Sequence, residues 1–176
     1  MDKTASPSTV LWSVPVAVED IPDTGLHIEI EAPAATRAQM VALVAELAAV
    51  RELPQLAAVF DLTREGAGVH VVGQVRARVG QTCVVTLEPI ESLVDEAVDL
   101  RFAPQAKTSK SDADLEPLVG GAVDLGAIAT EFLILGIDPY PRKANAKFTP
   151  PKGEDDGGHP FSGLEALKKR LGDSQP

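Results

Sequence analysis

"LAAVFDLTREGAGVHVVGQVRARVGQTCVVTLEPIESLVDEAVDLRF", residues 56–102, decides the fold, because its apolar positions recur at every second residue. A period of two marks strands half buried in a sheet. Punctuation at Glu65 to Gly68, at Gly80 and around Pro89 divides the run, predicting four strands in an antiparallel meander. In the second strand Val69, Val71, Val75, Ala77 and Val79 share one face, and His70, Gln74, Arg76 and Arg78 the other. In the fourth, Val94, Glu96, Val98, Leu100 and Phe102 alternate with Asp95, Ala97, Asp99 and Arg101, and Glu96 interrupts the apolar side.

Upstream, "TVLWSVPVAV" (9–18) and "LHIEIEA" (26–32) have strand composition, with Asp23, Thr24 and Gly25 turning between them. "TRAQMVALVAELAAV" (36–50) reads as a helix. Thr36 is placed as N-cap with Gln39 completing a capping box; Met40, Leu43, Val44 and Leu47 form one stripe, and Pro54 stops the pattern. Such a stripe packs on a sheet or is offered to a partner.

Downstream, residues 103–122 are polar and read as an exposed loop. Asp124 can then cap "DLGAIATEFLILG", whose Leu125, Ile128, Phe132 and Leu135 make a second stripe, ended by Gly136. Residues 137–160 hold too little apolar content to offset the entropy of ordering them alone. A closing "PFSGLEALKKRLG" pairs Ser162 with Glu165 as a capping box ahead of Leu164, Leu167 and Leu171. The expected organisation is α+β. One domain spans 1–136, an antiparallel β-meander or partly closed barrel with two packed helices; an extended tail, 137–176, ends in a short helix.

Charge restricts function more than composition does. With 26 acidic and 16 basic residues the formal net charge is −10, so the averaged field repels phosphate backbones. Aromatic residues are only 4% of the chain, too few for a base-stacking surface. No apolar run reaches the length of a membrane helix and the first residues do not read as a secretory leader, which predicts a cytoplasmic protein without a membrane partner. A single cysteine cannot form an internal disulfide.

Catalytic chemistry has little to work with. Cys83 would need a base to act as a nucleophile, and His70 is the only histidine of the same run of strands; zinc would need four ligands at a recognised spacing. A structural, buried Cys83 is the simpler reading. Glu88, Glu91, Asp95, Glu96 and Asp99 are dense enough to raise a hydrolase-like reading, yet solvated strand faces produce the same density. Phosphate loops, nucleophile elbows and HExxH motifs do not occur, so neither catalysis nor a cofactor or metal is expected.

Cations offer better candidates. Arg76 and Arg78 emerge from one strand face, where they can bind phosphates or pair with neighbouring carboxylates. "PYPRKANAKF" gathers Tyr140, Arg142, Lys143, Lys147 and Phe148 in one stretch, and Lys168, Lys169 and Arg170 cluster near the C-terminus. Such groups suit an acidic protein surface or RNA.

Four ordered blocks, "VGQVRARVGQTCVVTLEPI", "VDEAVDLRFAP", "VDLGAIATEFLILGIDPYPRK" and "PFSGLEALKKRL", together resemble the YceD family of large ribosomal RNA subunit accumulation proteins, over about residues 67–171. Many of its members carry Cys-x-x-Cys where this chain has Cys83 and Thr86, so the metal pair that the resemblance suggests is incomplete here. The resemblance implies a non-catalytic role in ribosome assembly, with a large-subunit precursor as partner; the net charge of −10 favours a ribosomal protein over direct RNA contact. A hydrolase-like enzyme and a protein-binding adaptor unrelated to ribosomes are the rival readings.

Overall fold

A computed structural model describes residues 11–104 and 115–148. In chain order its elements are β1 (Pro15–Ala17), a single 3-10 turn (Val18–Asp20), β2 (Leu26–Glu31), α1 (Ala34–Ala48), β3 (Val50–Glu65), β4 (Gly68–Thr82), β5 (Pro89–Ala103), β6 (Leu115–Pro117), β7 (Ala122–Asp124) and α2 (Leu125–Gly136). Ala146 closes one compact unit, and Lys147–Pro176 form a second.

Residues 50–103 form three long strands rather than four. β3, β4 and β5 pair antiparallel in succession, and the first hairpin turns at Gly66 and Ala67, where Gly66 adopts φ +63. Gly80 does not end a strand: β4 runs through it to Thr82, and a Cβ there would collide with the Glu52 side chain. The glycine marks a close approach, which sequence punctuation cannot tell from a turn. Pro54 likewise lies inside β3, where the register skips between Glu52 and Gln55, an irregularity that tolerates its missing N–H.

The alternation in β4 holds as read. Val69, Val71, Val75, Ala77 and Val79 are buried, joined from β3 by Leu56, Ala58, Phe60 and Leu62 and from β5 by Val94 and Val98. Opposite them, Arg76 and Arg78 of β4 and Asp95 and Asp99 of β5 face solvent. Glu96 shares the inner side of β5 and is half-buried, near the position of Gly136.

The sheet order is β2-β3-β4-β5-β6, with β6 parallel to β5, so the sheet stays open and does not close into a barrel. β1 and β7 form a separate antiparallel pair. Only Pro15–Ala17 of the stretch 9–18 is strand. Trp12 ahead of it is buried, and its carbonyl oxygen would lie 2.7 Å from a Cβ at Gly126.

Both helices depart in detail from their sequence signals. α1 begins at Ala34 behind Pro33, with no side-chain cap, so Thr36 and Gln39 fall within the helix and the capping box does not form. Pro33 holds φ −57 and lets the alanines that follow start the helix early. Met40 and Val44 are buried as expected, but Leu43 is 58% exposed. In α2, Asp124 caps as predicted: its carboxylate accepts from the N–H groups of Gly126 and Ala127, and also from Val14 N–H and the Ser13 hydroxyl. The buried stripe is Leu125, Ile128, Ala129 and Leu133; Leu135 points out, at 70% exposed.

Candidate partner-binding surface

The answer to the lone cysteine lies where β4 ends. Four residues, Val84 to Leu87, turn the chain between Cys83 and Glu88, closed by Cys83 N–H donating to Glu88 C=O and Leu87 N–H to Cys83 C=O, each at 2.9 Å. Leu87 completes the turn with φ +60, although it is 77% exposed. A leucine in the left-handed region pays about 1 kcal/mol relative to glycine. Leu87→Gly is therefore expected to raise the thermal midpoint by roughly 2–4 °C, and an unchanged or lower midpoint would show that the exposed side chain holds the turn.

Into this turn folds the segment after α2. Val84 N–H donates to Pro141 C=O at 2.9 Å, Gln81 Nε2 donates to Asp138 C=O and to Ala48 C=O at 2.8 Å, and Pro141 is buried. The Cys83 sulfur, itself fully buried, accepts two backbone N–H groups, from Thr86 at 3.4 Å and from Lys143 at 3.3 Å. The Lys143 ammonium then pairs with Glu88 at 3.0 Å.

These donors set the local electrostatics. The Cys83 thiol is drawn from an ordinary 9.0 down to about 6, first by the Lys143 N–H, then by the Thr86 hydroxyl and N–H, with burial opposing. The Thr86 hydroxyl oxygen is buried without a hydrogen bond of good geometry, so it acts as a nearby dipole. Glu88 is held below the usual carboxylate range, by the Lys143 ammonium first and Thr86 second. Cys83 is thus structural in a definite sense. Its sulfur ties the strand end to a segment sixty residues later in the chain.

Of the cations singled out by sequence, those on the sheet are occupied. Arg76 Nε reaches Asp95 at 3.2 Å and its Nη2 donates to Gln74, while Arg78 reaches Glu91 at 3.3 Å. Exposed pairs of this kind add little stability, but they engage the charges. The same pairs, with Lys143–Glu88, place a cation beside three of the five clustered carboxylates, and the His70 imidazole lies 2.7 Å from a fourth, Asp99. Among the described residues no three metal-binding side chains converge.

The docked segment presents the remaining ones. Tyr140 is 70% exposed, with its N–H bonded to the Asp138 carboxylate at 2.8 Å, and Arg142 is exposed beside the buried Pro141. Lys147 and Phe148, in the second unit, are also exposed. Lys168, Lys169 and Arg170 lie outside the described residues. The anchors were not named from sequence: Gln81 continues the buried alternation of β4 with an amide, a legible signal, whereas nothing local links Lys143 to Cys83.

Searches of curated proteins and of solved structures gave no match. A family model described as "Large ribosomal RNA subunit accumulation protein YceD" matches residues 71–168, which include most of β4, all of β5 and α2, and the docked segment. That match covers more than half of the chain, and the protein belongs to the YceD family.

Proposed function

We propose that the chain is a non-catalytic cytoplasmic factor that supports accumulation of large-subunit ribosomal RNA and assembly of the large subunit, acting by contact with a ribosomal protein or precursor particle. The observation that carries this reading is the docked segment, which holds Tyr140 and Arg142 outward on a hydrogen-bonded anchor. Aromatic and arginine side chains on an ordered base are the residue types that dominate protein interfaces. Protein contact is favoured over RNA because the chain carries −10 overall and the sheet arginines already face carboxylates.

Sedimentation of cell extracts at low salt tests the reading. The unsubstituted chain is expected among large-subunit precursors, and its absence from every ribosomal fraction would overturn the proposal. Tyr140→Ala with Arg142→Glu should weaken that co-sedimentation at least tenfold without moving the thermal midpoint, since both side chains stand free of the core. Retention at the original level would remove the docked segment from the interface.

A further inference from the structure

The two helices are largely apolar on the sides they turn away from the sheet as well as on the sides they bury. α1, "AATRAQMVALVAELA", exposes Ala34, Ala35, Ala38, Ala42 and Leu43 beside the polar Gln39, and α2 exposes Ile134 (43%) and Leu135 beside Glu131. A helix that is apolar all round belongs between two covering layers. Here the sheet supplies one. Between the helices runs a groove of about 310 Å³ lined by Leu11, Leu43, Ala127, Thr130, Ile134 and Leu135, with Glu131 as its only charged side chain among the described residues. From Ala127 to Leu135 the groove follows about two helical turns, roughly 12 Å, matching the apolar anchors at i, i+3, i+4 and i+7 of a docked amphipathic helix.

We infer that this groove binds an amphipathic helix flanked by Lys or Arg, contributed by a basic protein of the large ribosomal subunit; that source of the helix rests on the assembly reading above. The charge of the groove selects the occupant. Arg37, the one base on either helix, has its guanidinium engaged by the Ala32 and Leu53 carbonyls, which leaves Glu131 to set the local sign on a chain of net charge −10. A second copy would bring a second −10 body and a second acidic groove against the first. RNA would meet apolar side chains and a carboxylate. A cationic amphipathic helix satisfies both the apolar floor and the Glu131 carboxylate.

The test places a photo-crosslinking amino acid at Leu135 of the full chain in growing cells, with the same residue at Ala97 on the opposite sheet face as control, and identifies crosslinked peptides by mass spectrometry. The expected product joins position 135 to a helical, Lys- or Arg-flanked segment of a large-subunit protein. In parallel, Leu43→Glu with Leu135→Glu should lower co-sedimentation with precursors at least tenfold at an unchanged thermal midpoint, because both side chains are already exposed. Crosslinks to RNA, to a second copy or within the chain, or yields no higher than at position 97, overturn the proposal. Co-sedimentation of the unsubstituted chain and the double variant alike rejects the groove and leaves the assembly reading standing. A crosslink to a basic helix from outside the large subunit overturns the choice of partner and counts against that reading.

Discussion

Gly73→Val is expected to cost more than about 3 kcal/mol and to lower the thermal midpoint by roughly 10 °C. Gly73 sits mid-strand in β4 on its buried face, opposite Phe60 of β3 and Val98 of β5. Even a Cβ there would collide with the Val59 carbonyl oxygen and come within 2.5 Å of the Phe60 ring, which is fully buried. A ring can turn, but the backbone carbonyl of a central strand cannot move without breaking its ladder. Gly73→Ala should therefore already be costly, and combining it with Phe60→Leu should recover only part of the loss. Thermal unfolding of the four chains of that cycle measures the coupling; a midpoint for Gly73→Val within 2 °C of the parent would show that the close approach does not constrain the sheet.

Cys83→Ala is expected to release the docked segment. Removing the sulfur strips the acceptor from the Thr86 and Lys143 N–H groups; unsatisfied donors cost about 1–3 kcal/mol each where water cannot replace the partner. A total near 2 kcal/mol is expected, with the Lys143 amide exchanging at least tenfold faster than in the parent chain. The pH dependence supplies a second signature. The thiol sits at about 6 when folded against an ordinary 9.0, so between those values the unfolded state holds the extra proton and stability rises with pH. This contribution is complete above about 9 and is lost as pH falls through about 6. His27, raised above 6.5 chiefly by its hydrogen bond to Asp61, works in the opposite direction: its contribution is present at low pH and fades as pH rises through its folded value. Subtracting the Cys83→Ala stability curve from that of the parent cancels His27 and should leave a difference that grows from pH 6 to 9. A flat difference would show that the thiol remains protonated in the fold.

What the sequence made legible was the part governed by local period. The faces of β4, the alternation of Leu26, Ile28 and Ile30 in β2, and Asp124 as the cap of α2 all follow from side-chain spacing or from a capping residue, and all hold. The errors share one cause: a residue that stops or redirects a chain in isolation can be overruled by its neighbours in space. Gly80 and Pro54 read as breaks, but both lie within strands, one under Glu52 and the other at a shift in register. Leu43 and Leu135 fell on the stripes by spacing, yet both are turned away from the sheet, where they line the groove between α1 and α2. The anchoring of the docked segment lay beyond any local rule, because Cys83 and Lys143 lie sixty residues apart and meet only through the tertiary fold.

Using its one thiol as a doubly engaged acceptor gives the protein an internal gauge. An alkylating reagent can reach Cys83 only when the junction with Lys143 parts, and no other sulfhydryl in the 176 residues competes for the label. The labelling rate of the native protein thus reads how often the arm carrying Tyr140 and Arg142 swings free, without any engineered probe.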